Sequence, residues 1–176
     1  MPNWCFNSLQ VDGSKEDIAE FQEYVKGPEH SGENPGECEL SFQKIIPCDG
    51  SYDGCIDAWG TKWSASDLQT DGYKNGLSYN FCTAWSPPTP IFRALAEKFP
   101  KLDMEMFSEE DGMGFACLVT SKNGEVSEKD SAFIDHWDED EDESSQWGQP
   151  WLDDFVCDYA GTEAEWQAKY EAAESA

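Results

Sequence analysis

The sequence predicts an α+β domain in which helices pack on one face of an antiparallel sheet. The first observation is alternation, because apolar and polar residues exchange places along residues 77–83, as in a half-buried strand. The second is helical spacing, since 14–25 and 86–99 repeat apolar residues on one helical face behind a serine that can cap a helix. Turn dipeptides such as Asn123-Gly124 separate such runs, so strands can pair as hairpins.

The first third of the chain predicts one strand and one helix, followed by irregular segments. Residues 3–11 form the strand, and Ser14 begins an amphipathic helix that ends near residue 27. Residues 30–37 are rich in Gly, Pro, Asn and Glu and predict a loop. We expect residues 40–47 to cross the core as a partly extended arm, because their apolar spacing fits neither a strand nor a helix.

The next segments predict further strands and a second helix. Ser86 can cap that helix, Pro87 suits its first turn, and Pro100 ends it. In order, the predicted segments are a strand at 64–70, a strand at 77–85, the helix at 86–99, a strand at 102–107, a turn at 109–112, a strand at 115–120 and a hairpin turn at 123–124. The order β, α, β, β, α, β, with at least one further strand, is that of a ferredoxin-like sheet with two helices on one face.

The composition changes near residue 134 and predicts two parts. A ferredoxin-like domain spans 1–134, and an acidic, aromatic C-terminal extension spans 135–176. The extension has 14 acidic residues against one lysine, and the domain has 23 acidic against 10 basic residues. Thr162 and Glu165 form a capping box, which predicts a short helix near the end of the extension.

Six consecutive carboxylates at 138–143 are the most unusual feature of the extension. Their mutual repulsion favours an extended, solvated segment. Two interpretations stay open: the run occupies sites on a partner that otherwise hold nucleic-acid phosphates, or it is a solubilising tail. With the nearby aromatic residues as apolar anchors, the candidate partner-binding residues are Asp135, Asp138, Glu139, Asp140, Glu141, Asp142, Glu143, Trp147, Trp151, Asp153, Asp154, Phe155 and Trp166.

The charge balance argues against several functions. With 11 basic and 37 acidic residues the net charge is −26, and Arg93 is the only arginine, so the surface repels nucleic acid and anionic membranes. Seven scattered cysteines without a CxxC pair, and two histidines, predict no metal site, and no cofactor motif is present. Cys48 and Cys55 flank a turn without basic neighbours that would activate a thiolate. No signal peptide or membrane-length apolar run occurs, so we expect reduced thiols in a cytosolic protein.

Four residues are candidates for lining a ligand pocket: Trp59, Lys62, Trp63 and Trp85. The first three follow a turn-rich run at 49–54 and lie within one short stretch. Large aromatic side chains mostly serve burial, so these tryptophans can belong to the core. They can also form a stacking surface or line a pocket.

Four short motifs carry a resemblance to a known family. In order they are Asn3-Trp4-Cys5, Trp59-Gly60-Thr61-Lys62-Trp63, Thr83-Ala84-Trp85-Ser86-Pro87-Pro88 and Gly112-Met113-Gly114-Phe115-Ala116. On these motifs, residues 1–125 resemble the YubB ferredoxin-like domain family, which is encoded by conjugative plasmids and phages. The resemblance implies the ferredoxin-like fold and no catalytic residues, and its mobile-element setting implies a role in countering host defence. The acidic extension lies outside it.

We therefore expect a non-enzymatic phage or plasmid protein of the anti-CRISPR or anti-restriction type, located in the cytoplasm of the bacterial host. Its partner would be a basic host protein or complex that binds nucleic acid, and its carboxylates would act as a DNA mimic. It would contact neither nucleic acid nor a membrane directly, and it would need no cofactor. Two other functions stay open, namely a small-ligand binding or catalytic domain with a tryptophan-lined pocket and a structural or assembly protein.

Overall fold

A computed structural model describes residues 3–28, 37–110, 112 and 115–130 of the chain. The elements are β1 (Trp4–Asp12), α1 (Lys15–Val25), β2 (Gly27–Pro28), β3 (Glu37–Cys38), α2 (Phe42–Ile45), α3 (Tyr52–Trp59), β4 (Ser66–Tyr73), β5 (Gly76–Ala84), α4 (Thr89–Lys98), β6 (Asp103–Glu110), β7 (Phe115–Lys122) and β8 (Glu125–Asp130). Among these helices, none has the length and apolar character that crossing a membrane requires.

The main sheet has six strands in the order β4-β5-β1-β6-β7-β8, and every neighbouring pair is antiparallel. Its first four strands, crossed over by α1 and α4, have the order of a ferredoxin-like domain. β7 and β8 extend the sheet beyond β6. The predicted α+β, ferredoxin-like fold with additional strand pairing is therefore confirmed.

The core lies between the helices and one face of this sheet. Along β1, Leu9 and Val11 are buried, and they face Tyr79 and Leu77 of β5 in the same register. From the helical side, α1 contributes Phe21 to the same core, and α4 contributes residues such as Leu95. Burial of such apolar area is the main source of stability for a domain of this size.

The helix caps differ in how well the sequence predicted them. At α1, the Ser14 hydroxyl oxygen accepts a hydrogen bond from the Asp17 backbone N–H at 3.1 Å, as the capping box predicts. The predicted cap of α4 is wrong, because its N-cap is Pro88, which makes no side-chain capping bond. The Ser86 hydroxyl instead donates to the Gly60 carbonyl at 2.6 Å, so it holds two loops together.

Two helices occur where the sequence predicted irregular backbone. Within the predicted arm at 40–47, Ser41 caps the short helix α2 with a bond from the Lys44 backbone N–H. Within the predicted turn at 49–54, Ser51 caps α3 in the same way. Both helices are short, with four and eight residues, so they show little periodicity and their stability comes from tertiary packing.

One predicted turn is present in the structure, and part of another is replaced by a strand. Asn123 and Gly124 both adopt positive φ, of 53° and 78°, as a two-residue turn between twisted strands requires. By contrast, β6 continues through Glu110, whereas the run 109–112 was predicted to be a turn. The acidic residues there pair as strand because β7 lies opposite them.

Candidate functional site

The candidate partner-binding residues, from Asp135 to Trp166, lie outside the described residues. Partner binding by these residues therefore stays a prediction, and so does the domain boundary at residue 134. The four candidate pocket residues do lie within the described part of the chain, and they separate into two environments.

Trp59 belongs to the core. Its side chain is 0 % exposed, and its indole Nε1 donates to the Ile46 carbonyl at 2.7 Å. Its ring packs edge-on against Phe42 with 5.8 Å between the centroids. Because this indole is fully buried and its N–H is hydrogen-bonded, Trp59 offers no surface to a ligand.

The other three, Lys62, Trp63 and Trp85, come together near one end of the central strands. The Lys62 Nζ lies 5.4 Å from the centroid of Trp63 and 5.5 Å from that of Trp85. Tyr52 supplies a third ring at 5.9 Å, and Trp4 packs against Trp63 with 5.5 Å between centroids. We call these five residues the tryptophan cluster.

One side-chain contact and two residues with positive φ position the cluster. The Thr61 hydroxyl donates to the Ala84 carbonyl and accepts from the Ala84 N–H, both at 3.0 Å, which joins the loop after α3 to the end of β5. Gly60 ends α3 with φ of 76°, a conformation that suits glycine. Trp85 adopts φ of 62°, which is rare for a bulky residue and marks local strain. The contacts of both loops fix this geometry.

The cluster already contains its own cation. Because the Lys62 ammonium lies over three rings, their negative faces interact with it and not with an external cation. Tyr52 and Trp4 are nevertheless 55 % and 41 % exposed. The buried Trp63 Nε1 has no hydrogen-bond partner among the described residues. The arrangement suits an exposed aromatic contact surface better than an enclosed pocket.

A buried polar network lies beside the cluster on the helical face of the sheet. The Asn7 side chain donates to Thr83 Oγ1 at 3.0 Å and accepts from the Ser108 hydroxyl at 2.8 Å. Burial raises the pKa of the neighbouring Cys5 thiol to about 12. A neutral, inaccessible thiol is a poor nucleophile, so this network specifies packing and strand register.

Two other cysteines lie close together, as their sequence positions allow. The Sγ atoms of Cys48 and Cys55 are 3.6 Å apart, and Cys48 also contacts Gln43. Burial, followed by the hydrogen bond with Cys48, raises the pKa of Cys55 to about 11. Cys55 is therefore a neutral thiol near pH 7. Within the described ranges, no three His, Cys, Asp or Glu side chains form a group that could hold a metal ion.

Comparisons with known proteins agree with this fold. Residues 58–150, more than half of the chain, match the family model for the ferredoxin-like domain in Api92-like protein. The crystal structure of protein Api92 from Yersinia pseudotuberculosis superposes with a TM-score of 0.58 over 75 % of this chain and 99 % of that chain, at 11 % sequence identity. At that identity the similarity shows the fold alone. No curated protein matches the chain significantly.

Proposed function

The chain belongs to the family defined by the ferredoxin-like domain of Api92-like proteins, and from that premise we propose that it acts by binding and not by catalysis. The partner is a basic, nucleic-acid-handling complex of host defence, such as a CRISPR effector or a restriction enzyme, which the protein inhibits. Within this proposal the chain is a phage or plasmid protein of the YubB type that acts in the bacterial cytoplasm.

The observation that carries the proposal is the charge of −26. Two ion pairs join described residues, Lys26 with Glu39 at 3.0 Å and Arg93 with Glu128. Apart from Glu109 and Glu110, most carboxylates of the described residues therefore have no cationic side chain within ion-pair distance, and their field attracts a basic protein from a distance. The acidic extension adds to that field and supplies aromatic side chains that can anchor a complex.

The geometry of the tryptophan cluster and the polar network supports binding over catalysis. The nucleophile candidates Cys5 and Cys55 are buried and neutral, and Lys62 is held over aromatic rings. The exposed rings of Trp4 and Tyr52 suit the core of a protein interface.

The proposal is tested by measuring how efficiently phage plate on hosts that carry a defined CRISPR or restriction system. Expression of the wild-type chain should raise the plating efficiency, and neutralising residues 138–143 to their amides should lower that gain. A matched control neutralises Glu16, Glu20 and Glu23 on the helical side of the domain, where the change should matter less. Unchanged plating on every system, or equal losses for both sets, contradicts the proposal.

A further inference from the structure

The face of the sheet turned away from the helices contains a groove of about 470 Å³. Because side chains alternate along β1, Phe6 and Ser8 point to this open face while their neighbours point to the core. The strand register sets two rows across β5, β1 and β6. One row is Cys82, Phe6 and Glu109, and the other is Asn80, Ser8 and Phe107.

The floor of the groove is aromatic. Phe6 is 47 % exposed although β1 is a central strand, and Phe107 lies diagonally beside it on β6. Among the described residues, no helix covers Phe6 on this face, and an exposed large aromatic side chain is typical of a contact surface. The volume falls in the range of roughly 300–1,000 Å³ that ligand sites occupy.

The rim is acidic and polar. Asp67 lies at a β-bulge of β4 with φ of 51°, and this irregularity brings it into the groove lining opposite Glu109. Burial and, after it, the nearby charge of Asp67 raise the pKa of the Cys82 thiol, which also lines the groove. Gln69 and Asn80 add amide groups, and neither lysine nor arginine is among the described residues that line it.

The same face stays acidic beyond the groove. Asp12 pairs with Asp103 in the register of β1 and β6, and Gln10 pairs with Glu105, so three more exposed carboxylates lie along these strands. Such a field attracts cations and repels phosphates, which selects a basic protein over nucleic acid as the occupant.

We propose that this groove binds an arginine side chain presented by the basic partner. The planar guanidinium can stack on Phe6 while its N–H groups donate to Asp67 and to the amide oxygens of Gln69 and Asn80. A lysine ammonium has neither the planar face nor the five donors. The inference rests on the proposed function in one respect, namely that the partner is a basic protein.

The test uses the full chain with residues 138–143 neutralised, so that the acidic run does not dominate binding. Two labelled probes of equal charge, an arginine octapeptide and a lysine octapeptide, are titrated at physiological salt. Asp67→Asn should weaken arginine-peptide binding about two- to fivefold, the range of a solvent-exposed ion pair. Asparagine tolerates positive φ, so the bulge is retained. Asp71→Asn is the matched control, because Asp71 lies on the same strand outside the groove lining.

A second readout locates the peptide. In ¹⁵N-labelled wild-type chain, the arginine peptide should shift the backbone amide signals of Ser8, Asn80 and Phe107. Equal losses for Asp67→Asn and Asp71→Asn, unshifted groove signals, or equal affinity for both peptides would overturn the proposal. So would groove signals that change when residues 138–143 are neutralised without peptide, since the groove would then hold the chain's own extension.

These results separate this inference from the proposed function. Suppose that the wild-type chain raises the plating efficiency, but Asp67→Asn and Phe6→Ser change neither this gain nor peptide binding. The groove inference then fails and the proposed function stands. If the groove binds the arginine peptide but the chain raises the plating efficiency on no defence system, the proposed function fails instead.

Discussion

The two faces of the central sheet differ although the same strands build both. On β1, the helix-covered positions Leu9 and Val11 are at most 2 % exposed, whereas Trp4 and Phe6 on the open face are 41 % and 47 % exposed. The covered face is mostly apolar and contains the hydrogen-bonded network of Asn7, Thr83 and Ser108, and the open face combines aromatic rings with carboxylates. The first face maintains the fold, and the second leaves aromatic and charged side chains exposed.

The largest effect should come from removing an apolar side chain on the covered face. Leu9→Ala should lower the free energy of unfolding by about 2–5 kcal/mol, because it leaves a cavity in the core. The matched change Phe6→Ala on the open face should cost less than about 1 kcal/mol. Urea unfolding followed by circular dichroism measures both, and equal costs would show that the open face is covered as well.

A smaller effect is expected at the polar network of the covered face. Asn7→Ala removes the partner of Ser108 and one partner of Thr83, and it should cost about 1–3 kcal/mol because buried polar groups lose hydrogen bonds. Ser8→Ala, one position along on the open face, should stay within about 0.5 kcal/mol of the wild type. Thermal unfolding of the two variants compares them, and a larger loss for Ser8→Ala would reverse the comparison.

Alkaline pH should destabilise the covered face through its thiols. Burial raises the pKa of Cys5 from its ordinary 9.0 to about 12, so the native state keeps its proton where the unfolded chain loses it. This contribution is complete below pH 9 and is lost as pH rises from 9 towards 12. In Cys5→Ser, the free energy of unfolding should therefore fall less steeply over that interval. Parallel curves for both proteins would contradict the assignment.

The smallest effect concerns the open-face thiol. Cys82 should react with a thiol reagent in the native chain before the buried Cys5 does. Asp67→Asn removes one of the causes that raise the Cys82 pKa, so its thiolate fraction and rate at pH 8 should increase, by at most about threefold across solvent. Mass spectrometry of the labelled peptides assigns the rates. A slower Cys82 in the variant would place Asp67 outside the groove.

The covered face was largely predictable from the sequence, and the open face was not. Alternation along 77–83 and helical spacing after Ser14 report burial directly, so β5 and α1 follow from pattern. Helices α2 and α3 were missed because four and eight residues give too little periodicity. The cap at Ser86 was wrong because a contact with Gly60, distant in sequence, competes for the same hydroxyl.

The candidate sites, too, could be predicted from the sequence only in part. Trp59 and Trp63 look alike in the sequence, yet one fills the core and the other packs against Trp4, since the turn at Gly60 separates them. The groove depends on register across three strands and on a bulge at Asp67, which no local pattern encodes. One feature of the sequence did point to the open face. Phe6 lies at one of the exposed alternate positions of β1, where a solvated strand usually has a polar residue.

Hydroxyl-radical footprinting of the full chain tests the contrast between the faces most directly, because it reads side chains one by one. Phe6 should be oxidised in the free chain and protected when the arginine peptide is added. Met106, next to Phe107 but 1 % exposed on the covered face, should stay protected in both states. Protection of Phe6 in the free chain, or oxidation of Phe6 that the peptide leaves unchanged, would contradict the account.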